Sequence, residues 1–378
     1  MSFGKTAPGP KGIPLLGNVR DFAKDPLNFA RQCQVEFGDF VSLNLFGVEG
    51  TLLFHPDAIE QVMVKNNRNY SKATRGIMKL RTVFGTGLLT SEGDFWRRQR
   101  RISQPAFKRG TIAGFVDIMA QASRKLCESW QREQVERPFC EVYEEMMRVT
   151  LEMVSVTLLG IDVSSSSSSV GHALDEALLI TNSRLQRPFD IPTWLPTPEN
   201  RRLSAAIREL DSVVNQIIVN QRQKELDASN LLSLLAHARD PETGEGMSDS
   251  ELRDEVLIMF VAGHETTANT LTWLWYNLSQ CPEAEKKVYE EVSRVVDGDS
   301  ISLDQLKELE YLDAVIKETL RLYPPGWWFA RRAVEDDEIG GYHIPAGHHV
   351  LMSAYVTQRH PDLWPDPGPF LVQWSSFL

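Results

Sequence analysis

Cysteine is scarce in this chain: four in 378 residues, Cys33, Cys127, Cys140 and Cys281. They lie far apart and form no CxxC or CxH spacing, which argues against a zinc cage or a disulfide framework and fits a reducing compartment. A surplus of positive charge is missing too. With 40 Lys and Arg against 51 Asp and Glu the formal net charge is -11, and a chain so balanced has no general affinity for nucleic-acid phosphates. The opening residues, Met1-Ser2-Phe3-Gly4-Lys5-Thr6, offer no apolar run for a signal peptide or an anchor. A cytoplasmic protein without a membrane span is therefore expected. No fixed-period repeat is visible, so a solenoid is not expected, and no Gly-rich dinucleotide fingerprint is evident.

What is present is ordinary globular composition, 42% hydrophobic and 24% charged. Prolines and glycines punctuate Ala7 to Asn18, and that composition reads as an extended arm or as a loose terminal tail. Pro26 to Phe37 predicts a helix closed by Gly38. Phe40 to Phe46 and Thr51 to Phe54 predict a hairpin turning through Gly47-Val48-Glu49-Gly50. From Pro56 onward apolar residues recur at helical spacing, with breaks at Gly85-Thr86-Gly87, Gly110 and Pro192 to Pro198. Ser164 to Ser169 is a low-complexity run that predicts a solvated loop. A second strand-rich patch runs from Ala330 to Val350, with turns at Gly340-Gly341 and at Ile344-Pro345-Ala346-Gly347, the latter fitting a type I turn. Small sheets near both ends of a helical mass make the expected class mainly α with small β-sheets.

Chemistry concentrates on one long helix. Ser248-Asp249-Ser250-Glu251 has capping-box spacing and Pro282 follows the end, giving about 30 residues and roughly 45 Å. Its centre, Val256 to Thr272, is apolar on nearly every side and is expected to be buried, yet it carries Ala262-Gly263-His264-Glu265-Thr266-Thr267. The length would suit a membrane span, but the polar cluster argues against one. His264-Glu265 opens like a zinc-hydrolase HExxH, but Ala268 stands where the second ligand belongs. Two readings remain. The threonines bond carbonyls one turn back and bend a core helix, or Gly263 admits a flat ligand while Glu265 and Thr266 relay protons. Glu318 and Arg321 share a helix face at i and i+3, as ordinary ion pairs do. Arg97-Arg98-Gln99-Arg100-Arg101 is a solvated face or an anion site.

Read in order, the Pro/Gly arm, Trp96 with Arg100 (WxxxR), the Ala262–Thr267 motif, Glu318-Thr319-Leu320-Arg321 (ExxR) and the Ile344–Gly347 turn after a strand resemble the cytochrome P450 family along nearly the whole chain. The resemblance implies haem b. It puts Trp96 and Arg100 at one propionate and Arg331 at the other, with adjacent Arg332 as the alternative. Ala262 and Gly263 would lie beside the porphyrin, and Glu265 and Thr266 would be the catalytic acid–alcohol pair. Glu318 and Arg321 would lock the core. The implied activity is a monooxygenase that hydroxylates an apolar small molecule with O2, taking electrons from a ferredoxin or flavin reductase partner.

The end of the chain departs from that pattern. Asp362-Leu363-Trp364-Pro365-Asp366-Pro367 still looks like the family, but residues 368–378 do not contain the FxxGxxxCxG loop whose cysteine ligates iron. The four cysteines lie in unsuitable contexts, and His348, His349 and His360 have only their number in their favour. The expectation is one truncated domain over 1–378 with an atypical tail at 368–378: the cytochrome P450 fold lacking its C-terminal haem-ligand segment, with no metal ligand. The second functional expectation is a catalytically inactive truncated fragment, a pseudoenzyme or frameshift product, with at most weak binding of haem or apolar ligands.

Overall fold

Asp25 accepts the backbone N–H of Asn28 at 3.0 Å and Pro26 fills the first turn, so helix α1 (Pro26–Phe37) begins and ends as expected, at Gly38. This is seen in a computed structural model that describes residues 4–45, 47–133, 139–161, 167–187, 191–226, 230–296, 298 and 301–372. These residues are mainly helical with two small sheets, and the chain gathers into two compact units.

The first unit comprises Met1–Leu80, Ser183–Ile191 and Leu320–Phe370. Its strands are β1 (Phe40–Leu45), β2 (Val48–Leu53), β3 (Tyr70–Ser71), β4 (Phe329–Ala333), β5 (Asp337–Ile339), β6 (Tyr342–Ile344) and β7 (His349–Met352). Five of them form one sheet in the order β1-β2-β7-β4-β3, and β5 pairs with β6. Strands from the two ends of the chain therefore share a sheet, because β2 runs parallel to β7 with Leu52 opposite Leu351. Two details differ from expectation. The ladder between β1 and β2 continues to Leu45 opposite Val48, so Gly50 lies within a strand, opposite Leu43. The second turn starts one residue later than a type I turn at Ile344 would. His348 N–H donates to Pro345 O at 3.0 Å and Gly347 has φ +82, so glycine takes the positive-φ third position of a type II turn.

The Pro/Gly arm is docked. Ser42 N–H donates to Pro8 O at 2.7 Å, Asn18 N–H to Asn44 O at 2.7 Å, and Asn44 N–H to the Asn18 side chain at 3.0 Å. One face of the sheet buries Val41, Leu43, Leu52 and Leu351 against Phe29, Ala30 and Cys33 of α1. A second cluster packs Leu53, Val350, Met352 and Ala333 with Ala58, Val62 and Tyr70.

The second unit comprises Arg81–Asn182, Pro192–Thr319 and Leu371–Leu378. It contains α2 (Gly93–Ser103), α3 (Val116–Glu133), α4 (Val142–Val154), α5 (Pro198–Arg222) and α6 (Asp249–Gln280). A further helix, Ser167–Gln186, already includes Ser167 to Ser169, so the serine run is only partly loop, and Ser164 to Ser166 lie outside the described residues. Helix α6 has the capping box read from sequence, with Ser248 and Glu251 bonding reciprocally. Ala122 and Leu126 of α3, Met146 and Val149 of α4, and Ala268 of α6 form one core cluster.

Burial of α6 is one-sided, which corrects the expectation of a helix buried all round. Phe260, His264 and Ala268 are 4%, 1% and 0% exposed. Ala262, Thr266 and Trp273 on the opposite side are exposed. Composition alone could not show this, because the open stripe is made of small or apolar residues that read as core. No helix among the described residues is long and apolar enough to cross a membrane.

Candidate functional site

Helix α2 places four arginines within five positions, and their environments separate them. Arg97 pairs with Asp94. Arg98 donates to Glu251 at 2.9 Å and to Gly246 O at 2.7 Å. Arg101 grips Asp240 with two nitrogens, at 2.9 and 2.8 Å, the two-pronged geometry that makes such pairs strong. Asp240 is buried. Its bond to Arg101, helped by Glu242 N–H and the Thr243 hydroxyl, holds the carboxyl down at about 2, and the same bond raises the Arg101 guanidinium above its ordinary value. Arg100 has none of this. Its guanidinium lies 5.4 Å from the Trp96 ring centre, one turn away, it is exposed, and among the described residues no carboxylate pairs with it.

On α6 the motif residues divide by direction. Ala262 and Thr266 lie on the exposed stripe, with Thr270 and Trp273 continuing it at helical spacing. The Thr266 hydroxyl donates to Ala262 O at 2.5 Å. Thr270 and Thr272 make the same bond one turn back, at 2.9 and 2.8 Å, so this bond alone does not set Thr266 apart. Glu265 is half-buried beside the stripe. A side chain added at Gly263 would meet Val154 of α4 at 3.2 Å, so the glycine lets those two helices approach. His264 points the other way and bonds the Met147 carbonyl at 3.0 Å.

Arg331 belongs to the first unit. It stands on β4 opposite Val350, half-buried, with Nη1 donating to Ala330 O at 2.9 Å. Arg332, the alternative, is exposed and donates to Gly347 O at 3.2 Å, tying down the turn before β7.

The ExxR residues sit on helix α7 (Glu310–Leu322) and are both buried, at 1% and 2% exposed. Glu318 accepts Leu371 N–H at 2.8 Å. Arg321 donates to three carbonyls, Gln358 at 2.9 Å, Pro367 at 3.0 Å and Pro369 at 3.1 Å, with its guanidinium 4.9 Å from the Trp364 ring centre. The ordinary surface pair that spacing alone suggests is thus a buried anchor for the segment after Gln358. Of the atypical tail, residues 373–378 lie outside the described residues.

The small stripe and the stacked Arg100 fit the flat ring and one carboxylate arm of haem b. Iron ligation does not fit. Cys33 is buried beneath the sheet, where burial pushes its thiol up to about 12. Cys127 and Cys140 are exposed, on α3 and just before α4, the helices that cover the back of α6. Cys281 follows the last residue of α6, roughly 22 Å along its axis from Thr266 at about 1.5 Å per residue. Among the described residues no group of three or more His, Cys, Asp or Glu could hold a metal ion.

Sequence reading missed Asp240 and Glu251 as the acids that occupy Arg101 and Arg98. Neither carries a local signal, since each meets its arginine across more than a hundred residues. The burial of His264 was expected from the apolar helix around it, but its partner was not.

Comparison with known proteins agrees with these features. The Cytochrome P450 family profile matches residues 7–373. The chain is 36% identical to the cyclooctat-9-en-7-ol 5-monooxygenase of Streptomyces melanosporofaciens over 97% of its own length and 78% of that protein. It is 32% identical to the pentalenene oxygenase of Streptomyces avermitilis over 97% of its length and 79% of that protein. A bifunctional cytochrome P450/NADPH–P450 reductase of Aspergillus oryzae is 30% identical over 84% of this chain and 29% of that protein. The match along almost the whole chain shows that the protein belongs to the cytochrome P450 family, whose cofactor is haem b.

Proposed function

We propose a haem monooxygenase that hydroxylates a cyclic, terpene-like hydrocarbon or alcohol. The observation that carries this reading is the open stripe of small residues on an otherwise buried helix, Ala262 and Thr266 in front of Phe260, His264 and Ala268. The substrate class follows from the relatives' names, which specify an unsaturated alcohol and an unsaturated hydrocarbon. When bound, haem supplies the redox chemistry that inserts one oxygen atom of O2 into a C–H bond.

The residues of this chain do the remaining work. Ala262 gives a surface with no bulky side chain to a planar ring, and Gly263 beside it lets α6 approach α4. Arg100, stacked on Trp96, would hold a propionate through a charge-assisted hydrogen bond. Glu265, half-buried, gathers a proton from solvent and hands it on through the Thr266 hydroxyl, whose O–H now donates to Ala262 O. Glu318 and Arg321 hold α7 to the segment that follows Gln358. Electrons come from a ferredoxin or a flavin reductase, a function that the Aspergillus relative carries in its own chain by name. We place the protein in the cytoplasm.

A second reading is favoured by the cysteine positions: a chain that binds haem or an apolar molecule weakly and does not turn over. One experiment separates the two. The purified protein is loaded with haem, reduced under carbon monoxide, and incubated with O2, a ferredoxin system and a cyclic hydrocarbon. A thiolate-type spectrum with hydroxylated product supports the monooxygenase. Haem uptake without that spectrum or product supports the second reading.

A further inference from the structure

The buried back of α6 carries one polar side chain that the proposed chemistry leaves unused. His264 is 1% exposed, packed beside the Phe260 ring at 6.3 Å between centres. Its Nε2 lies 3.0 Å from the Met147 carbonyl oxygen of α4. A carbonyl only accepts, so Nε2 carries the proton, and Nδ1 is then an acceptor. That Nδ1 is buried without a hydrogen-bond partner among the described residues. Buried polar atoms are normally satisfied, and an exception asks for an explanation.

Direction supplies one. At 3.6 residues per turn, positions two apart project roughly 200° apart. His264 therefore stands almost diametrically opposite both Ala262 and Thr266, and the burial follows, with His264 inside and the other two exposed. An apolar side chain would fill the same space, but apolar contact is non-directional and leaves rotation free. The hydrogen bond to Met147 is directional. A slip of about 1 Å at a side-chain radius of about 5 Å turns a helix by roughly 11°, and a misplacement of about 1 Å costs positioned chemistry on the order of 10²-fold.

We propose that His264 is a positioning residue, whose Nε2–H bond to the Met147 carbonyl sets the rotation of α6 and so aims Ala262, Glu265 and Thr266. The inference rests on the proposed role of that stripe. His264→Phe keeps the volume and loses the donor, whereas His264→Gln keeps a donor near Nε2. Hydrogen exchange on the unloaded protein reads rotation without any cofactor. Amides of residues 262–270 are expected to exchange about tenfold faster in the Phe variant than in the Gln variant, while those of α5 change little. A haem titration is expected to show affinity falling about tenfold in the Phe variant and recovering in the Gln variant. Equal exchange in the two variants, or acceleration shared by α5, would overturn the assignment. Failure of the unmutated protein to take up haem would instead sink the reading of the stripe, and the exchange result would still decide the role of His264.

Discussion

Arg100 and Arg101 are neighbours on one helix with opposite surroundings. Arg101 is closed off by a buried carboxylate that accepts two of its hydrogen bonds, whereas Arg100 lies on an indole and faces outward. Helix α6 repeats the contrast within one turn, with His264 bonded inside and Thr266 open. In both places the side that is bonded inward builds the protein, and the side left open is where a ligand is to be sought.

Breaking a satisfied arginine gives the largest effect. Arg321→Leu takes a buried donor from the carbonyls of Gln358, Pro367 and Pro369, at about 1 kcal/mol each or roughly 3 kcal/mol in all. Urea unfolding should show that loss. Arg100→Leu sharpens the contrast, because an exposed residue without a carboxylate partner should alter stability by no more than about 0.5 kcal/mol. Arg101→Leu, which strands Asp240, should lower the melting temperature clearly further than its neighbour does.

Acid gives a third test. The Asp240 carboxyl is depressed from 3.8 to about 2 in the folded protein. Its contribution is complete above its unfolded value and is lost as pH falls through that interval. Asp240→Asn should remove this part of the acid slope, as followed by circular dichroism between those values. The smallest effect is a labelling pattern. Exposed Cys127 and Cys140 should react quickly with a maleimide, while Cys33, buried and with a raised thiol, should react only on unfolding.

Much of this was legible in the sequence, for reasons specific to the residues. Ser248 with Glu251 and Pro26 with Gly38 set helix boundaries through local hydrogen bonds and fixed φ, so α6 and α1 appear where expected. The motif residues were recognisable by their order along the chain. What could not be read depends on distant pairing. Nothing near Leu52 announces Leu351, and nothing near Arg101 announces Asp240. The Gly347 turn was misplaced because Pro345 suggested one position and the φ that Gly347 adopts decided another. The one-sided burial of α6 was hidden because an exposed stripe of Ala and Thr looks like core.

The most direct test of the account is a haem titration of the unmutated protein beside Arg100→Leu and Arg97→Leu, followed by the Soret band. The expected result is one haem per chain, with affinity about tenfold weaker in Arg100→Leu, as for loss of one charge-assisted bond, and unchanged in Arg97→Leu. Equal weakening in both variants, or no uptake by the unmutated protein, would contradict it.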